Sequence, residues 1–446
     1  MKGTKQIHQE VWKRVISFSL PFLLSYFLQT LYGMADLFII GQFDGVAATS
    51  AVAIGSQVMH MITVIIVGLA MGCIVSIGRY MGAKQYEKVK AVIANAVLLF
   101  TLLSLCMMVI CLFAMEDIVA ILATPAQAVA DTKAYLLLCF LGIPFICAYN
   151  LISSIFRGMA DSKRPLYFIA IACVCNIALD YLFVGGFHLG AQGAALATIL
   201  AQAISVMISL FYVVKQKQKQ MPRGKDIRFN SPIMRELCHI GIPIAIQDGF
   251  IQVAFLVITI FVNMRGLYDA AAVGIVEKMI CILFLVPSSM LQTVSALGAN
   301  HLGAKEYHRA RLVLYDACII TIIWGLAIVL LMHWKASFFI QLFTSQKEVI
   351  LLGSQYMKGY VWDCIFAGLH FSFSGYFCAY GYAYLSFLHN VISIMLVRLP
   401  CSYYATTYFI DTLYPMGLAV SFGSFVSVCI CLLADAWLKR KGLLKL

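Results

Sequence analysis

Long apolar stretches separated by short polar segments run through the whole chain. Twelve of them reach about 20 mostly apolar residues, the length that a helix needs to cross the roughly 30 Å hydrocarbon core of a membrane. The predicted spans are residues 15–40, 46–77, 91–115, 134–156, 166–183, 189–214, 240–262, 270–297, 312–332, 351–379, 384–410 and 415–437. The pattern therefore predicts an all-α membrane protein with twelve transmembrane helices.

Basic residues are concentrated in alternate polar segments. Of the 32 Lys and Arg residues, 25 lie in the N-terminal segment, the even-numbered loops and the C-terminal tail. The positive-inside rule places these segments, and so both termini, in the cytoplasm, which we expect for a multi-pass inner-membrane protein. The net charge of +12 thus reflects topology, and we expect no nucleic-acid partner.

Composition agrees with a membrane protein. Only 12% of the residues are charged and 62% are hydrophobic, whereas roughly a quarter of a soluble domain is charged. An ordinary soluble enzyme is therefore excluded. The 15 cysteines lack the spacing of a metal site or a disulfide framework, and no nucleophile or nucleotide motif occurs. We expect a protein that is not an enzyme, with no cofactor and no tightly bound metal.

One loop sequence occurs twice. MGAKQYEKVK at residues 81–90 resembles LGAKEYHRAR at residues 302–311, and Pro21 in the first span corresponds to Pro243 in the seventh. Features that recur at one spacing indicate an internal duplication. Because six spans return the chain to the same side, the halves are expected to be parallel repeats, as in two-lobed transporters.

The duplication predicts three regions. We expect an N-terminal six-helix lobe at residues 1–214, a cytoplasmic basic linker at 215–235 and a C-terminal six-helix lobe at 236–446.

Acidic residues within the spans are the main candidates for function, because a carboxylate at mid-bilayer costs about 3 kcal/mol on insertion scales. Asp36 and Asp180 lie late in two outward-running spans of one lobe, and Asn176 precedes Asp180 by one helical turn. Neighbouring carboxylates suit a proton carrier, and added amide and hydroxyl oxygens suit sodium. The alternative is that both acids cap span ends in interfacial water. Asp248 and Glu277 are secondary candidates, for substrate contact.

Five stretches together carry a family resemblance. They are SLPFLLSYFLQTLYGMADLFIIG (19–41), GRYMGAKQYEKVK (78–90), SSIFRGMADSKRPLYFIA (153–170), NIALDYLF (176–183) and GAALAT (193–198). The chain resembles the multidrug and toxic compound extrusion (MATE) transporters of the multidrug/oligosaccharidyl-lipid/polysaccharide exporter superfamily, in particular their DinF-like branch. The resemblance covers essentially the whole chain and is sharper in the first half.

The resemblance implies two six-helix bundles that form a V-shaped cleft, with an ion site inside the N-terminal lobe. The motifs that carry the resemblance imply an ion site formed by six residues: Asp36, Asn176, Asp180, Tyr135, Asn150 and Thr198. Gln29 lies nearby and is a candidate for substrate contact. A sodium ion would bind transiently at Asp36, Asn176, Asp180 and Thr198. Pro21 matches the proline at which the first helix of that family bends.

The second half departs from this pattern. The position 222 residues after Asp36 is Ile258, so the acid of the first span has no counterpart in the repeat. The ion site is therefore expected in one lobe only.

The resemblance implies a secondary active antiporter. We expect it to act as a monomer in membrane lipid and to export small amphipathic, often cationic compounds in exchange for inward protons or sodium ions. The site composition does not choose between the two ions. The alternative is a flippase for lipid-linked oligosaccharides or polysaccharides, which belongs to the same superfamily; twelve spans and the NIALDYLF motif favour the antiporter.

Overall fold

The computed structural model describes residues 4–122, 124–216, 221–222 and 228–444, and these residues form helices joined by short turns, with no strand among them. Parts of the predicted linker, residues 217–220 and 223–227, lie outside the described residues. The first eight α-helices are α1 (Thr4–Phe43), α2 (Val46–Gly82), α3 (Tyr86–Phe113), α4 (Met115–Ile121), α5 (Val129–Leu141), α6 (Ile143–Gly158), α7 (Lys163–Asp180) and α8 (Gly190–Gln216). The others are α9 (Ser231–Asn263), α10 (Leu267–Leu283), α11 (Leu285–Gly303), α12 (Tyr307–Gln341), α13 (Lys347–Tyr360), α14 (Asp363–Tyr380), α15 (Ala383–Ser393), α16 (Leu399–Tyr408) and α17 (Tyr414–Arg440).

Helices follow all twelve predicted spans. Ten helical segments of the described chain are long and apolar enough to cross a membrane, and α5 with α6 makes an eleventh that is bent by 47°. The predicted tenth span consists of α13 and α14, which are separated by a short break before Asp363. The prediction of an all-α membrane fold is confirmed.

Two spans contain a π-helical turn, which is a wider turn than that of an α-helix. Residues Tyr181–Gly186 continue α7 directly after Asp180, and residues Ile394–Arg398 join α15 to α16. Such turns are rare and often occur at functional sites. Both lie next to a buried charged residue, namely Asp180 and Arg398.

The chain divides into two compact units, one formed by Met1–Leu23 with Ile242–Leu446 and the other by Leu24–Gly241. Helices α1 and α9 each contribute residues to both units, and each changes unit within three residues of an internal proline, Pro21 or Pro243. A proline inside a helix removes one backbone hydrogen bond and weakens the helix at that point. Both helices are therefore least rigid where they change unit.

Close backbone contact joins α2 to the start of α9 within the unit Leu24–Gly241. A Cβ atom added to Gly72 would collide with the main-chain oxygen of Leu237, and one added to Gly241 would collide with that of Leu69. Only glycine permits backbones to approach this closely, and small residues are the usual means of tight helix packing in membranes.

The contact predicts that Gly241→Ala destabilises the protein, because the methyl group meets backbone that does not move easily. Overpacking of this kind costs about 1–3 kcal/mol. Gly249→Ala on the same helix is the matched control, since a Cβ at Gly249 meets no atom within 4 Å. Thermal unfolding in detergent should show a lower midpoint for Gly241→Ala only; equal midpoints for both variants would contradict the packing.

Candidate functional site

A pair of buried carboxyl groups lies within the unit Leu24–Gly241. Asp36 comes from α1 and is 4% exposed, and Asp180 ends α7 and is fully buried. The two carboxyl groups interact directly with each other. Asp180 is followed at once by the π-helical turn. The structure thus brings together the two acids that the sequence placed first, and the alternative of span ends in interfacial water does not fit their burial.

Two polar residues connect α7 and α8 to Asp36. The Thr198 hydroxyl donates to Asp36 Oδ2 at 3.1 Å, and the Asn176 amide Nδ2 lies 3.4 Å from Thr198 Oγ1. Asn176 is one turn before Asp180 on α7, as expected, and is 2% exposed. The hydrogen bonds hold one oxygen of Asp36 in place and leave the other available.

Several acceptor oxygens of this cluster have no donor among the described residues. They are Asp36 Oδ1, Asn176 Oδ1 and both carboxyl oxygens of Asp180. Buried polar atoms are nearly always paired, and an unpaired buried carboxylate is especially costly. A proton shared by the two carboxyls would satisfy the site, and so would a sodium ion bound by these oxygens. The arrangement is suited to a reversibly bound cation.

Tyr135 packs beside this cluster. Its hydroxyl lies 3.1 Å from Ser56 Oγ on α2, and the residue interacts electrostatically with Asp36. Gly55 makes room for the tyrosine ring, because a Cβ at that position would collide with it.

The remaining predicted members are less directly connected. The Asn150 amide Nδ2 donates to the Ile146 carbonyl of its own helix at 2.8 Å, so this donor is not directed at the acids. Gln29 is partly exposed on α1, two turns before Asp36, and Pro21 is inside the same helix.

Asp248 and Glu277 lie in the other compact unit. The Gln247 amide donates weakly to Asp248 at 3.5 Å, and Glu277 interacts electrostatically with Arg398. Neither acid belongs to the Asp36 cluster.

Tyr32 and Gln202 are site residues that the sequence analysis missed. Tyr32 precedes Asp36 by one helical turn, interacts with it electrostatically and lies near Gln202 of α8. The spacing of four residues was a usable signal for Tyr32, because residues i and i+4 share a helix face. No local signal marks Gln202.

A sequence model of the MatE family matches residues 21–182 and again residues 243–404. The chain belongs to the MatE family. The two matches begin 222 residues apart, at Pro21 and Pro243. Within this MatE repeat, Ile258 occupies the position equivalent to Asp36 and is 1% exposed. The carboxyl pair is therefore present in one repeat only.

Relatives and solved structures agree with this membership. The chain is 28% identical over 424 residues to "Probable multidrug resistance protein YpnP" of Bacillus subtilis (strain 168), covering 95% of this chain and 94% of that protein. It is 24% identical over 373 residues to "Multidrug export protein MepA" of Staphylococcus haemolyticus (strain JCSC1435), covering 83% and 82%.

Two solved structures share the fold of this MatE protein. One is a MOP superfamily transporter from Pyrococcus furiosus, with a TM-score of 0.92, 19% identity and coverage of 100% of this chain and 99% of that one. The other is a multidrug resistance MATE family transporter in an outward-facing conformation, with a TM-score of 0.91, 19% identity and the same coverage.

The hydrogen bond from Thr198 to Asp36 predicts different outcomes for two substitutions. Thr198→Val keeps the shape but removes the donor, and leaving a buried acceptor unpaired costs about 1–3 kcal/mol. Thr198→Ser keeps the hydroxyl. Thermal unfolding in detergent should therefore show a lower midpoint for Thr198→Val than for Thr198→Ser. A valine variant as stable as the serine variant would contradict the role of this bond.

Proposed function

We propose that this MatE protein is a secondary active multidrug efflux antiporter of the inner membrane. It exports small amphipathic, often cationic compounds in exchange for protons or sodium ions that enter from outside, and both of its termini are cytoplasmic. The functions for which the relatives are named, multidrug resistance and multidrug export, support the substrate class. The charge distribution over the loops supports the orientation.

The single observation that carries the ion coupling is the buried Asp36–Asp180 pair with its unpaired oxygens. Two carboxyl groups in contact cannot both stay charged without a compensating cation. The pair therefore has two states, one that holds a proton or sodium ion and one that has released it, and these states differ in charge. Thr198 donates its hydroxyl to Asp36.

Helix α1 links this site to transport. It carries Asp36, it contains Pro21, and it contributes residues to both compact units. A bound cation neutralises the carboxyl pair and so removes the electrostatic interactions that position Asp36. Helix α1 then bends near Pro21, where the proline has already weakened the helix. Bending of α1 displaces the substrate outward.

Antiport requires that the ion and the substrate weaken each other's binding. This coupling is reciprocal: whatever factor the ion imposes on substrate affinity, the substrate imposes on ion affinity. A coupling of about 1–3 kcal/mol changes either affinity by roughly 5- to 150-fold. A conformational change of α1 that both the ion and the substrate influence is sufficient to supply this coupling free energy.

Asp36→Asn should abolish ion-driven efflux, because an amide neither takes up a proton near neutral pH nor offers a negative charge to sodium. Ethidium efflux from proteoliposomes, measured under separately imposed proton and sodium gradients, checks this and identifies the driving ion. The same variant should leave cells as sensitive to ethidium as cells without the protein.

Asp117→Asn is the matched control, since Asp117 is an exposed acid of the same unit, and it should transport like the wild type. Unchanged efflux by Asp36→Asn at equal membrane levels would refute the coupling role. Turnover of a lipid-linked oligosaccharide without ethidium efflux would favour a flippase instead.

A further inference from the structure

A second buried polar cluster lies in the unit formed by Met1–Leu23 and Ile242–Leu446, around Arg398. The residue ends the π-helical turn between α15 and α16 and is 8% exposed. It lines a cavity of about 80 Å³ together with Phe255, Asp363 and His370. This volume is several times the roughly 10–15 Å³ that a cavity needs to hold one water. The cavity thus admits a small chemical group.

The Arg398 guanidinium has no hydrogen bond and no ion pair among the described residues. Its Nε and Nη2 atoms are buried without an acceptor, and its one close partner is the Phe255 ring, with the guanidinium carbon 4.7 Å from the ring centroid. A cation–π contact compensates only part of the cost of removing a charge from water. Buried arginine donors are normally satisfied, so the unpaired donors of this guanidinium are suited to an anionic group.

Two acids lie near Arg398 without occupying its donors. Asp363 and Glu277 both interact with it electrostatically, and neither forms an ion pair with it. Each also has one buried oxygen without a donor, Asp363 Oδ1 and Glu277 Oε1. The cluster therefore offers unpaired groups of both signs, a guanidinium and two carboxyls, within one unit.

We propose that this cavity binds the carboxylate of a zwitterionic amphipathic substrate, with the carboxylate on Arg398 and the cationic part of the molecule toward Asp363, which lines the same cavity. Guanidinium and carboxylate match in charge and in planar two-point geometry. The aromatic rings of Phe284 and Tyr360 also line the cavity and contact the part of the substrate next to the carboxylate. The proposal rests on the proposed export function and adds Arg398 as a specificity-determining residue.

Rhodamine B and its ethyl ester test the proposal, because they differ only in whether the carboxyl group is free. Binding to the protein in lipid nanodiscs is followed by fluorescence anisotropy. Arg398→Gln should weaken the binding of rhodamine B at least tenfold and that of the ester less than twofold. Lys358→Gln is the matched control: it also removes one positive charge from this unit, does not line the cavity, and should affect neither dye.

Equal losses of binding affinity for both dyes in Arg398→Gln would overturn the proposal and leave a purely structural role for the arginine. Should that variant fail to fold, the wild type alone decides the matter: it must prefer rhodamine B to the ester, and equal affinities overturn the proposal. Failure of the proposed export function has a different signature, namely no gradient-driven efflux of either dye while the preference for the free carboxylate persists.

Discussion

The cost of a buried carboxylate is the constraint on which the rest of this structure depends. A membrane interior supplies no water, so Asp36 and Asp180 require a cation, a proton or donors from the protein. The protein supplies few donors: Thr198 reaches one oxygen of Asp36 and the oxygens of Asp180 have none among the described residues. A site left incomplete in this way is suited to taking up and releasing a cation, which is what the proposed antiport requires.

The two repeats share one architecture but differ in the charged residues that they bury. The first retains the carboxyl pair, whereas the equivalent of Asp36 in the second is the buried Ile258. The second instead buries Arg398 beside Phe255, with Asp363 nearby. In each repeat, the charged residue adjoins a π-helical turn. Our two proposals thus assign cation coupling to the first repeat and recognition of substrate charge to the second.

Much of the fold follows from sequence periodicity, and the rest depends on contacts that no local pattern encodes. The span lengths, the loop repeat and the intramembrane acids Asp36 and Asp180 could be predicted from the sequence, because few backbone structures can span a lipid bilayer. The partner of Asp316 could not be predicted in this way. It is His8, 308 residues away in the sequence, and the His8 Nε2 atom lies 2.8 Å from the Asp316 carboxyl group. Likewise, sequence identifies Arg398 as a charge in a span, but only three-dimensional packing shows that its donors are unpaired.

Cation release on substrate binding tests the central claim most directly. Ethidium is added to purified protein in weakly buffered detergent solution, and released protons are counted with a pH indicator and released sodium with a sodium-sensitive dye. The account predicts that the wild type releases one of these cations as substrate binds and that Asp180→Asn, which removes one carboxyl of the pair, does not. Equal release by the two proteins, or none by the wild type, would contradict a coupling site at Asp36 and Asp180.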